Sequence, residues 1–271
     1  MPGNQVKELI KQGRMTLQFT DFGIDEPSDQ QLKLPQPPLV KEKMTFQQID
    51  LPYNFGDLKM ETDILKIINN RVSHRVYTEE DMSLLELSYL LWSTQGIKSI
   101  RGKNYATLRT VPSGGARHEF ETYFIVKKVA QLREGTYHYL PLTHQIEFLR
   151  EISDLDEKIG RALSGQRWAE AANVIFFWSV VPYRSEWRYS CFAHRIILVD
   201  IGHVCQNMYI ACEAIGLGTC AIGAFDRHTC DSLFTLDGED EFTILAAPVG
   251  TISAQDKDKE QEFYAFLKTE E

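Results

Sequence analysis

Between Ile196 and Leu217 the chain reads IILVDIGHVCQNMYIACEAIGL, a run apolar nearly all the way round a helical wheel. It closes at Gly216 and Gly218, the residue type that helix C-termini favour. A helix with no polar face belongs in the middle of a molecule, so the rest of the chain must supply layers that cover it. Met60–Asn69 and Ser83–Trp92 carry apolar residues at spacings of three and four and read as amphipathic helices. Thr78 followed by Asp81 has the spacing of a capping box ahead of the second. Tyr123–Val129, Thr136–Leu140, Asn173–Val181, Thr219–Ile222 and Phe242–Val249 are short, rich in β-branched and aromatic residues, and read as strands. The order lacks the strand-helix beat of a doubly wound parallel sheet, and neither GxGxxG nor GxxxxGK[ST] occurs at its proper spacing. The expected fold class is α+β, a mainly antiparallel sheet packed between helices.

Composition narrows the partners. The formal charge of −9 argues against a nucleic acid or an anionic membrane as ligand and favours a small molecule. No window reaches the roughly 18 to 20 apolar residues of a membrane span, and MPGNQVKELIKQGR lacks a signal-peptide core, so a cytoplasmic protein is expected. The five cysteines form no Cys-x-x-Cys and read as reduced thiols, with no metal site indicated. Residues 1–50, polar and dotted with proline (LPQPPLVKEK), read as an extended arm with one short helix near Val6–Gly13, and residues 51–271 as the globular domain.

Two stretches carry candidate chemistry. In Arg71-Val72-Ser73-His74-Arg75 an extended backbone puts Arg71, Ser73 and Arg75 on one face, and two guanidinium forks with a hydroxyl suit a phosphate monoester. The same residues read as well as a solvated basic segment. In LRTVPSGGARHEFETYFIV, residues 108–126, Pro112, Ser113, Gly114 and Gly115 place almost no bulk before a strand, which suits close approach to a flat ligand or simply a tight turn. His203, Gln206 and Asn207 in the apolar helix read as helix-packing polar groups, and Cys205 and Cys212 as packing thiols.

Taken in order, NRVSHRVY, the 108–126 stretch, GTYHYLP, EWRYSCFAHRIILVDIGHVCQNMYIACEAIGLGTCAIGAFD and LAAPVG resemble the FMN-dependent nitroreductase superfamily, over about residues 45 to 250, and are most similar to its SagB-type dehydrogenase branch. The resemblance implies a homodimer with FMN at the subunit interface. It implies that Arg71, Ser73 and Arg75 hold the flavin phosphate and ring edge. Pro112, Ser113, Gly114 and Gly115 would line the ring of the other subunit's flavin, and Ile222 and Gly223 would offer backbone N–H groups near its N5. Lys257 and Lys259 are the basic residues near the C-terminus that the phosphate could also attract.

The resemblance also implies hydride transfer between NAD(P)H, or an organic donor, and a small organic acceptor of nitro or quinone type. Azoline oxidation in a modified peptide is the alternative within that class, and a flavin-binding module without turnover is the alternative outside it. Azoline-oxidising relatives present a Lys-Tyr pair where this chain has Arg188-Tyr189. A guanidinium stays protonated and can only donate, so Arg188 and Tyr189 are expected to serve reduction of an acceptor.

Overall fold

Two aromatic strands organise the computed structural model, which describes residues 2–18 and 26–253. In β4 (Phe120–Val126) and β7 (Val174–Val180) every residue is buried, because helices cover both sides of the sheet they form. Tyr123 and Ile125 share one face with Ile175 and Phe177, while Phe124 and Val126 share the other with Phe176 and Trp178. The period-two alternation of side chains across a strand makes this division.

The sheet has seven strands in the order β1-β6-β5-β4-β7-β9-β8, and its ladders are antiparallel. The other strands are β1 (Gln48–Asp50), β5 (Gly135–Leu140), β6 (Gln145–Arg150), β8 (Leu217–Thr219) and β9 (Phe242–Thr251). Both edges, β1 and β8, are only three residues long. A separate two-stranded ribbon pairs β2 (Ile97–Arg101) with β3 (Ala106–Arg109). One face of the main sheet is covered by α3 (Leu84–Gln95) and the 23-residue α6 (Ala193–Ile215), through Leu87, Leu90, Val204 and Met208. The other face is covered by α4 (Leu155–Ala162) and α7 (Arg227–Phe234), through Ile159, Leu233 and Phe234. The α+β reading is therefore correct, with helices on both faces.

The apolar helix ends as its sequence requires. Gly216 takes a left-handed φ of 75° and its N–H closes the last turn onto Cys212 and Glu213 carbonyls. The expected helix at Met60–Asn69 is shorter, α2 (Ile64–Asn70), capped by Asp63. The capping box of α3 is Ser83 with Glu86, not Thr78 with Asp81. Thr78 instead pairs with Thr251 of β9, so its hydroxyl is engaged outside the helix.

Among the described residues, β6, α4, α7, the ribbon and α5 (Tyr183–Tyr189) are elements that the sequence reading did not propose. No helix among them is long and apolar enough to cross a membrane.

The first 50 residues are not uniformly extended. Pro2–Gln18 form α1, longer than the helix expected at Val6–Gly13. The segment from Gln30 to Thr45 lies on the domain. Gln30 N–H donates to Trp187 O at 2.8 Å and the Trp187 indole donates to Leu34 O at 3.1 Å. Further along, Lys41 N–H donates to Glu121 at 2.7 Å, and Met44 and Thr45 N–H groups donate to Glu147. The boundary expected at residue 50 coincides with the end of β1, already paired to β6.

Candidate active site

The basic segment leaves α2 at Arg71 in non-helical backbone and runs beside β8, where His74 N–H donates to Thr219 O at 2.9 Å. Gly218 permits this approach, since a Cβ there would lie 2.7 Å from the Cβ of His74. Arg71, Ser73 and Arg75 are all partly exposed, Val72 is exposed and His74 is buried, so the segment does not show the strict alternation of a strand. The Arg71 guanidinium lies 5.2 Å from the Tyr209 ring and Arg75 lies 5.8 Å from the Trp168 ring. Both cations lie over aromatic rings, which limits their freedom.

Tyr209, on α6, joins the expected pieces. Its hydroxyl lies 3.0 Å from Ser73 Oγ and accepts the Ala221 N–H at 2.8 Å, so the basic segment and the residues before Gly223 are tied to one point. The Ile222 N–H is engaged by Ala246 O at 2.7 Å, and its side chain is buried. That corrects the expectation that Ile222 offers its N–H to a ligand; backbone pairing with β9 takes that donor. Gly223 is exposed with open space around its Cα, so a planar group can approach it. Two guanidinium groups, a hydroxyl and an uncrowded glycine suit an anionic phosphate attached to a flat ring. Lys257 and Lys259 lie outside the described residues.

The Pro-Ser-Gly-Gly loop is elsewhere, at the other end of α6. Gly114 N–H donates to Asp200 at 2.7 Å, and a Cβ on Gly114 would collide with Ile196. Gly115 has φ of 57°, and a Cβ there would lie 2.6 Å from Tyr189 Oη and 2.7 Å from Arg188 Nε. The missing bulk is therefore needed inside the chain, where α5 and α6 press on the loop. Pro112 is exposed and Ser113 partly so, and these two present the loop outward.

Arg188 and Tyr189 thus meet the loop directly, a juxtaposition that their separation of 73 and 74 positions in sequence from Gly115 conceals. Two further residues join them. Arg188 Nη1 donates to Tyr105 Oη at 2.7 Å. Arg117, buried, donates to Gly115 O at 3.2 Å and Tyr105 O at 2.9 Å and stacks between the Tyr105 and Trp187 rings, 5.0 and 5.5 Å away. Neither Tyr105 nor Arg117 was a sequence candidate; a single tyrosine in GKNYATLR carries no periodic or motif signal.

Behind the loop Ser113 Oγ accepts the His118 N–H at 2.9 Å and lies 3.5 Å from Glu119. Burial, with Asp200 nearby, pushes the Glu119 carboxyl up to about 7, and burial likewise raises Asp200. Elsewhere on α6, Asn207 donates to Ser93 O at 2.9 Å, the packing role expected of it, while Gln206 is exposed. Burial pushes the Cys205 thiol up to about 11 and holds Cys212 well above its ordinary range, as befits packing thiols.

Residues 68–251 match the Nitroreductase family. A protein of Methanocaldococcus jannaschii named as a nitroreductase is 30% identical over 207 residues, covering 75% of this chain and 96% of its own length. The trifolitoxin-processing protein TfxB of Rhizobium leguminosarum bv. trifolii is 27% identical over 161 residues, 56% of this chain but 43% of that protein. Among solved structures, a nitroreductase-type protein of Ralstonia eutropha superposes with a TM-score of 0.63 at 23% identity, over 82% of this chain and 95% of that one. A chain of the Escherichia coli microcin synthetase McbBCD complex superposes with a TM-score of 0.58 at 17% identity, over 92% and 94%. These superpositions share the fold.

Proposed function

The chain belongs to the nitroreductase family, and from that premise we propose that it is an FMN-dependent oxidoreductase passing hydride from NAD(P)H to a small organic acceptor. The observation that carries the reading is the Arg188–Tyr189 pair packed on Gly115, which sets a fixed cation and a phenol at the loop expected to face the flavin ring. A bound flavin supplies two-electron transfer; the protein supplies position and charge. Arg71 and Arg75 hold the phosphate by charge-assisted hydrogen bonds, with Ser73 beside them. Arg188 remains protonated and donates, which favours charge building up on an acceptor as it is reduced.

The site is composite in this reading. Tyr209, which ties down the phosphate segment, and Ile196, which meets the loop, are thirteen positions apart on α6, about 20 Å at 1.5 Å per residue. One chain's loop therefore serves the site of a second copy, and the homodimer is part of the proposal. Exposed apolar side chains support it: Ile64, Leu65 and Ile68 on α2, and Leu198 and Val199 on α6.

A second reading, oxidation of an azoline ring in a modified peptide, is favoured by the likeness to a trifolitoxin-processing protein. Arg188 in place of a tunable amine weighs against it. The purified protein is expected to carry FMN, and Arg71→Ala and Arg75→Ala are each expected to weaken retention by about 1.5 to 3 kcal/mol. Full occupancy in the double variant would overturn the assignment. Quinone and nitroaromatic acceptors, assayed beside a thiazoline peptide, separate the two readings.

A further inference from the structure

We propose that Tyr105 is the proton-donating hydroxyl of this site, with Arg188 as the residue that positions and polarises it, and that its substrate is a small electrophilic acceptor whose reduction builds up negative charge on oxygen. The proposal rests on the reading of the site as that of a flavin-dependent reductase and adds a residue that lies outside the motifs carrying the resemblance.

A phenol oxygen has two lone pairs and one proton. Both lone pairs of Tyr105 Oη are taken, one by Gln30 Nε2 at 2.9 Å from the docked arm and one by Arg188 Nη1 at 2.7 Å from α5. The proton must then point to a third partner, and among the described residues no protein acceptor takes it. An oxygen held by two donors is a fixed proton source whose anion is already solvated by protein groups.

The surroundings are built to hold it. Tyr105 stands at the tip of the β2–β3 ribbon, where Gly102 and Asn104 take left-handed φ values of 63° and 56° and Tyr105 N–H closes the turn on Arg101 O at 3.0 Å. From there β3 leads within two residues to the Pro-Ser-Gly-Gly loop, and Arg117 donates to both Tyr105 O and Gly115 O. The charges that face Tyr105 are both cationic, Arg188 from α5 and Arg117 from the loop, the latter 5.0 Å from the ring. Partial burial opposes ionisation, but Gln30, Arg188 and Arg117 outweigh it and hold the phenol below its ordinary value. Arg188 cannot give up a proton at any working pH, whereas Tyr105 can. The two together form an acid and its polariser.

The transfer balances simply. As the acceptor takes hydride from the two-electron-reduced flavin, the Tyr105 O–H bond breaks and the proton goes to the acceptor's oxygen; solvent then returns a proton to the phenolate.

Carbon NMR of protein labelled at tyrosine Cζ reads the ionisation directly, with the resonance assigned by its loss in Tyr105→Phe. The wild-type phenol is expected to titrate below the ordinary tyrosine value and to shift upward in Arg188→Gln, while Tyr189→Phe leaves the resonance in place. In the flavin-loaded protein, Tyr105→Phe is expected to slow reoxidation by a quinone about 10²-fold, the size typical of a lost general acid. The limb of the pH profile that follows Tyr105 should vanish with it. A Tyr105 phenol that titrates at or above the ordinary value, or a Tyr105→Phe rate and pH profile that overlie wild type, would overturn the proposal. A chain that takes up no flavin would defeat the reading of the site and the donor role with it. A loaded chain indifferent to Tyr105 would defeat the donor role alone.

Discussion

Glu119, just before β4, and Glu121, within it, stand two positions apart, both with almost no exposure, yet they are driven in opposite directions. Glu121 accepts from Lys41 N–H and from the Arg184 guanidinium, and faces His138 Nε2 at 3.4 Å. Burial alone would raise it, but Arg184 and then His138 reverse the balance and hold it well below the ordinary carboxylate range. His138 in turn lies 2.8 Å from Glu147; burial opposes its charge, and the two carboxylates outweigh that and raise it. Among the described residues the one side chain that Glu119 contacts by a hydrogen bond is Ser113, at long range, its second oxygen lacks a partner, and burial with Asp200 leaves it near 7. Equal burial yields an anion where donors surround the group and a weak acid where they do not. The first arrangement fastens the arm to the sheet; the second lies behind the loop of the candidate site.

The largest way to break this contrast is Glu121→Leu, which leaves Arg184 buried without its counter-charge and His138 with Glu147 alone. Urea unfolding is expected to show a loss of about 3 to 5 kcal/mol. Because the Glu121 pKa is depressed on folding, its contribution is present above the unfolded carboxylate value and is lost as pH falls through the folded one, so the variant should also lose part of the acid limb of the stability curve. A change under 1 kcal/mol would mean that the network is solvated.

A smaller effect of opposite pH sense is expected from Glu119→Gln. A carboxyl raised to about 7 favours the protonated folded state. Its contribution is full below the unfolded value and is lost as pH rises through 7. The amide removes that loss, so relative to wild type the variant should gain about 2 to 3 kcal/mol between pH 5 and pH 9. Parallel stability curves would show that Glu119 is ionised throughout.

Smallest of the three, Ser113→Ala should cost about 1 kcal/mol, because the His118 N–H loses its acceptor. It should also move the Glu119 titration slightly upward, since the Ser113 hydroxyl is one of the groups that lower it. A downward movement in the same titration would reassign the contact.

What could be read in the sequence follows the same physics. The α6 helix was legible because an apolar surface all round admits one location, and Gly216 marks its end. Strands β4, β5, β7 and β9 were legible from their β-branched and aromatic content. In β6, QIEFLR, the buried Glu147 looks like a surface residue; its charge is satisfied by His138 and by Met44 and Thr45 N–H groups that lie about a hundred positions away. The absence of bulk at 114–115 was legible, but the reason for that absence was not. Only the packing of α5 and α6 shows that Arg188, Tyr189 and Ile196 occupy the space. Tyr105, Arg117 and Tyr209 act through long-range contacts, and a single sequence carries no local sign of those.

The two three-residue strands that border the sheet bear on solubility during folding and storage. An edge strand offers unpaired N–H and C=O groups to any passing chain, and a short one offers few. Here the neighbours behind the edges are also shielded: Thr243 N–H of β9 is held by Asp231 at 2.7 Å, Ile222 bridges to Ala246, and Arg150 at the end of β6 is tied to the carbonyls of Ser232 and Leu233. A sheet whose interior strands are as aromatic as β4 and β7 would otherwise be a template for aggregation. With both margins of the seven-stranded sheet closed by side chains and truncated strands, recruitment of further copies by strand addition at those margins is disfavoured.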